Sequence, residues 1–158
     1  MGVQDLERGG LIRPAEGAYT VDGVQARFLA RPRSVDEASQ VLRAAADDGL
    51  AVGFAGGGSK LGLGNPPERL DLVVETGALD QVLEHAAGDL VVQAQAGVRL
   101  ADLQAALAPA GQQLALDPPE PRATLGGVVA ATSSPCRSAL NVSAPRREPI
   151  SGSTPPAS

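Results

Sequence analysis

Five glycines, a serine and the chain's single lysine crowd into residues 56–64, Gly-Gly-Gly-Ser-Lys-Leu-Gly-Leu-Gly. Glycine loses more conformational entropy on ordering than any other residue, so a packed element gains nothing from such a run. A loop whose amides turn inward does gain, because successive N–H groups form a concave anion site. Ser59 adds a hydroxyl donor and Lys60 a charge. The stretch reads as a phosphate cradle, or else as a mobile Gly/Ser connection. Two familiar phosphate loops fail on spacing. A P-loop requires Gly-Lys-Ser/Thr, and the order here is Ser59-Lys60-Leu61. A dinucleotide fingerprint starting at Gly56 requires glycine or alanine where Leu61 stands. A second candidate is Ala123-Thr124-Leu125-Gly126-Gly127, opening into a run of small apolar residues. Thr124 can hydrogen-bond an oxygen, and paired glycines at a helix start let a diphosphate approach the backbone closely. Two anion-competent loops in one domain point to a dinucleotide.

Other chemistry is sparse. With one histidine, His85, no Ser-His-Asp set is credible, and His85 reads as a surface strand residue. With one cysteine, Cys136, neither a disulfide framework nor a cysteine-based metal site can form. With so few nitrogen and sulfur ligands, no zinc site is expected.

The elements that position the two loops follow from periodicity. Ser34 and Glu37 have capping-box spacing, and Val35, Ala38, Val41, Leu42 and Ala45 share a helical face, with Gly49 as the stop. Strands are predicted over 26–30, 50–54 and 70–76, with Asp22-Gly23 as a turn before the first. Strand, helix, strand and glycine loop in that order make a βαβ-like unit with its ligand loop after the second strand. Residues 79–85 and 90–96 predict an antiparallel hairpin. Leu100, Leu103 and Leu107 predict a second helix, ended by Pro109 and Gly111. A short strand over 114–116 then runs into the rigid Asp117-Pro118-Pro119. The fold class is α/β (α+β): a small α/β subdomain followed by an incomplete second one. Residues 1–20 read as an irregular N-terminal arm, 21–132 as the domain, and the Ser/Pro/Arg-rich 133–158 as a disordered tail.

Composition removes several functions. The 158 residues suffice for one domain with a real core. Phe28, Phe54 and Tyr19 are the only aromatics and the formal charge is −5, so neither base stacking nor phosphate-backbone binding is supported. No nucleic-acid partner is expected. No run is long enough to span a membrane, and no signal-peptide pattern opens the chain, so a soluble cytoplasmic protein is the expectation.

The ordered pieces resemble a known family. Ala30-Arg31-Pro32 before a capped helix, the strand and Gly-Gly-Gly-Ser-Lys loop of 52–60 and Leu72-Val73-Val74-Glu75-Thr76 stand in family order. So do 91–97, Asp117-Pro118-Pro119 and Ala123-Thr124-Leu125-Gly126-Gly127. Together they resemble the PCMH-type FAD-binding domain of the vanillyl-alcohol-oxidase class. Within it the likeness is greatest to the FAD-binding subunit type of bacterial glycolate oxidase (the GlcE type), related to D-2-hydroxy-acid dehydrogenases. The likeness covers residues 21–132. It implies that Gly56, Gly57, Gly58, Ser59 and Lys60 hold the FAD diphosphate. It also implies that Pro119 and Ala123, Thr124, Leu125, Gly126 and Gly127 contact the diphosphate and flavin side. Members with covalent flavin often carry a histidine in the first loop, and none is present here, so non-covalent FAD is expected.

The chain departs from the family after residue 132. Ser133-Ser134-Pro135-Cys136-Arg137 stands where the family continues into an arginine-rich, tyrosine- and glycine-containing stretch, more FAD-binding strands and a substrate domain. A truncated or frame-shifted product is expected, with little turnover alone and no assignable catalytic base. The alternatives from other classes are a non-catalytic module that docks onto other subunits of a glycolate-oxidase-like complex, and a non-functional gene fragment.

Overall fold

The computed structural model describes residues 2–116 and 120–131 and the backbone of 142–143. Its first half is a four-stranded sheet with helices on one face. Helix α1 (Val3–Arg8) leads into β1 (Ile12–Pro14), and the hairpin β2 (Thr20–Val21) and β3 (Val24–Gln25) precedes β4 (Phe28–Ala30). Helix α2 (Val35–Asp47) connects to β5 (Val52–Ala55), and β6 (Leu72–Glu75) follows the glycine loop. The order across the sheet is β1-β4-β6-β5, with β4, β6 and β5 parallel and β1 antiparallel at one edge. The predicted strand-helix-strand unit is therefore present, and β6 inserts between its two strands.

Period-two alternation along β6 supplies both cores. Leu72 and Val74 face α1 and α2 in a cluster with Leu6, Ile12 and Val41, while Val73 faces the other way among Leu29, Ala55 and Leu70. The apolar N-terminal segment belongs to this core. Residues 1–20 were expected to be irregular, yet Val3, Leu6, Ile12 and Ala15 are buried. Their short spacing over one turn of helix and three residues of strand falls below what periodicity can reveal.

Two further expectations shift. Helix α2 buries Val41, Ala44 and Ala45, leaving Val35 68% exposed. The apolar stripe read from the sequence is rotated because α1 packs onto the helix as well as the sheet. Ser34 caps the helix by accepting from the Glu37 amide at 3.1 Å, but the Glu37 carboxylate takes the Arg33 amide, one residue before the cap. Asp71 ties three strand starts together. It is 4% exposed, accepts from the Ala51 amide at 2.8 Å and lies 2.8 Å from Arg69. Its carbonyl accepts from Arg27 and Phe28.

At the far ends of β4 and β6, the Tyr19 hydroxyl donates to Glu75 at 2.6 Å, and Arg31 lies 3.6 Å from the same carboxylate. Burial, and then the Glu75 carboxylate, push the Tyr19 phenol up to about 12. The folded state therefore binds this proton more tightly than the unfolded chain, whose phenol titrates near 10. The associated stability is fully present below about pH 10 and is lost as pH rises towards about 12. Tyr19 is the only tyrosine, so its absorbance on alkaline titration reads the group directly. Tyr19→Phe should flatten the fall in urea midpoint over that window.

The second half is a hairpin and two helices around a leucine cluster. β7 (Val82–Ala86) and β8 (Val91–Ala94) pair antiparallel, with a 3₁₀ turn at Ala87–Asp89 between them. Helix α3 (Leu100–Leu107) carries the predicted leucine stripe, and Leu100, Leu103 and Leu107 are all buried. The strand expected over 114–116 is β9 (Gln113–Leu114), and helix α4 (Leu125–Ala131) follows the second glycine loop. Segment 133–158, read as a tail without structure, contains β10 (Val142–Ser143), which pairs antiparallel with β9. The rest of that segment and Asp117-Pro118-Pro119 lie outside the described residues.

Candidate functional site

Strand β5 ends at Ala55, and the chain leaves the sheet's carboxyl edge as the first glycine loop. The second loop is fixed by a different mechanism. Leu100 donates to the Ala123 carbonyl at 3.0 Å, Leu125 to Val98 at 2.8 Å and Gly126 to Ala96 at 2.8 Å. These bonds pin residues 123–126 against the turn between β8 and α3.

The two loops then meet. A Cβ at Gly57 would overlap the Arg122 carbonyl oxygen, and one at Gly56 would overlap the Thr124 hydroxyl. Both positions need glycine for close approach rather than for unusual dihedrals. Gly58 differs, having φ +74 and open space around it.

Between the loops lies a cavity of about 400 Å³. Gly56, Gly57, Gly58, Ser59 and Lys60 line one side, and Ala123, Thr124 and Gly127 the other. Among the described residues, the amides of 56–60 have no acceptor within the protein. Five consecutive donors are thus left for solvent or a ligand. Thr124 is 4% exposed and accepts from the Gly127 amide at 3.2 Å, which orients its hydroxyl oxygen at the start of α4.

Two of the expected site residues stand back from the wall. Leu125 packs in the leucine cluster, and Gly126 lies against Ala96, where a Cβ would come within 2.9 Å of the alanine methyl. Their amides are committed to the β8–α3 turn, so they position the loop. Pro119 lies outside the described residues.

The cavity also takes residues that sequence reasoning passed over. Phe54, the last residue of the strand expected over 50–54, is 57% exposed and lines the cavity with Leu61 and Leu116. Glu120 adds the only carboxylate among the described lining residues. Alternation gives no signal for Phe54, because it shares a face with Val52, which packs against the helix-side core, and its exposure reflects its place one residue before β5 ends at Ala55. His85 is remote in role: it is half-buried and bonded to Gln112 at 2.8 Å, which in turn donates to Ala87 at 2.6 Å. Among the described residues there is no cluster of metal-ligating side chains, and no helix is long and apolar enough to cross a membrane.

A glycine-lined cavity with unpaired amides on one wall and an oriented hydroxyl on the other fits a diphosphate-bearing cofactor. The comparisons agree. The chain is similar in fold to alkyldihydroxyacetonephosphate synthase in its P1 crystal form, with a TM-score of 0.70 and 21% identity over 84% of this chain and 31% of that one. For the P212121 form the TM-score is also 0.70, with 20% identity over 88% of this chain and 30% of that one. The chain thus spans about a third of the length of those structures. No curated protein sequence matches it. A protein-family model described as an FAD binding domain matches residues 26–141. That match takes in both loops, the hairpin and the leucine cluster, and by it the chain belongs to the FAD-binding-domain family, with FAD as its cofactor.

Proposed function

We propose that this chain is the FAD-binding portion of a flavin-dependent oxidoreductase resembling glycolate oxidase and the D-2-hydroxy-acid dehydrogenases, and that it holds FAD non-covalently. The observation that carries this reading is the run of five amides, 56–60, that have no acceptor among the described residues and belong to residues lining the same cavity as the buried Thr124. Gly56, Gly57, Gly58, Ser59 and Lys60 would hold the diphosphate, with Lys60 adding charge. Ala123, Thr124 and Gly127 would close on it from the second loop, Leu125 and Gly126 would hold that loop in place, and Pro119 completes the set. Phe54 and Leu61 offer an apolar surface for a flat ring. Among the described residues lining the cavity there is no histidine, cysteine or tyrosine for a covalent flavin bond.

Bound flavin would supply the two-electron redox chemistry that oxidation of a 2-hydroxy acid at its α-carbon requires. This chain's own residues bind and orient; none is assigned as a catalytic base. Phe54 and Leu63, both lining the cavity, are 57% and 64% exposed. They favour a setting in which further protein, as other subunits of a cytoplasmic glycolate-oxidase-like complex, covers the cofactor.

The test is to add FAD to the purified chain, remove the excess, and record the flavin bands. A yellow protein is expected, unbleached by glycolate or lactate under anaerobic conditions. A colourless protein would overturn the cofactor assignment for this chain. Bleaching by either acid would show that turnover survives without additional protein.

A further inference from the structure

A second concave site lies at the opposite edge of the sheet from the glycine loop. It is a groove of about 470 Å³ where β1 and β4 meet the start of α2. Arg13 projects from β1, and Arg31 and Arg33 follow β4. All three line the groove, with Gly9, Gly10 and Glu37 among its other walls. None of the groove's residues belongs to the cavity between the glycine loops.

The charges there are unbalanced. Arg31 is partly spent on Glu75, 3.6 Å away. The Glu37 carboxylate is held by the Arg33 backbone amide at 2.7 Å. Among the described residues, the guanidiniums of Arg13 and Arg33 have no ion-pair partner. The chain as a whole has a formal charge of −5, so a groove lined by three arginines runs against its overall sign. Arginines lining one groove can present forked donors that match phosphate or carboxylate oxygens two at a time.

We propose that this groove binds a small polyanion carrying phosphate or carboxylate groups, independently of FAD. The size is that of a ligand cleft, which commonly falls at about 300–1,000 Å³. The net charge argues for a small ligand. Screening confines the arginine field to about 10 Å at 0.1 M salt, so a long polyanion would gain nothing from the arginines beyond the groove, on a chain whose formal charge is −5. A compact anion samples only the local field.

The test is calorimetric titration of the full chain with inorganic pyrophosphate and with citrate, at low salt and with FAD in excess. At least one anion should bind with a Kd below about 1 mM. Arg13→Gln and Arg33→Gln should each weaken it about tenfold, the scale of one charge-assisted hydrogen bond. Both side chains are exposed and unpaired, so circular dichroism should show the fold unchanged. Gly57→Val should leave this affinity intact, which separates the groove from the FAD site. Preference for pyrophosphate or for citrate assigns the phosphate or the carboxylate class. Absence of binding by both anions up to about 10 mM, or affinity unaltered in the double arginine variant, would overturn the proposal.

Discussion

Gly57→Val should abolish FAD uptake, with affinity falling by about 100-fold or more. The obstacle is a backbone atom. A Cβ at this position overlaps the Arg122 carbonyl oxygen, and no rotamer change can move a carbonyl held in the second loop. That loop is itself pinned by the Leu100–Ala123 and Leu125–Val98 bonds, both close to 3 Å. The loops must therefore separate, and the first loop loses its packing against the second. Gly58→Ala is the matched control. A Cβ there meets nothing, so the cost is the φ of +74 alone, about 1 kcal/mol. FAD titration followed by flavin fluorescence should rank wild type, Gly58→Ala and Gly57→Val in falling order. Equal binding by wild type and Gly57→Val would remove the first loop from the cofactor site. Gly57 lies outside all three core clusters, so far-ultraviolet circular dichroism should stay native.

The distinction between those two glycines was not legible in the sequence. Composition marked the whole run 56–64 as a backbone-driven loop, and the structure gives each glycine a separate reason. Gly56 and Gly57 are demanded by a partner 65 or so residues away in the chain, which no local pattern encodes. The same limit explains Gly126. It reads as a diphosphate contact next to Gly127, yet its missing side chain accommodates Ala96. By contrast, α3 was legible in position and buried face, because its Leu100-Leu103-Leu107 stripe packs on one face only. Helix α2 was legible in its bounds but not its orientation. Two neighbours, the sheet and α1, compete for its surface, and a single-stripe reading assumes one. The segment containing α1 and β1 was missed because six helical residues and three strand residues carry too little periodicity to stand out. The family resemblance reached the cofactor through motif order, which is insensitive to such local misplacement.

Leu107→Ala should weaken FAD binding although Leu107 lies outside the cavity wall. The side chain is fully buried with Val98, Leu100, Leu103 and Leu114. Its truncation should cost about 3 kcal/mol, read as a lower urea midpoint. What makes the effect functional is the membership of that cluster. Leu116, Ala123 and Val128 pack against it from one side and line the cavity from the other. Removing the central leucine loosens the platform beneath the second loop, whose hydroxyl and backbone form half of the site. Leu6→Ala deletes the same atoms from the helix-side core, where α1 packs on α2. It should lose comparable stability while leaving the cavity's second wall in place. At urea concentrations where both variants remain folded, FAD affinity should fall for Leu107→Ala and hold for Leu6→Ala. Equal losses would mean that the domain responds as one body and that the leucine cluster has no privileged connection to the site. A selective loss would show that the hairpin and α3, which contribute no residue to the cavity wall, serve to hold one loop against the other.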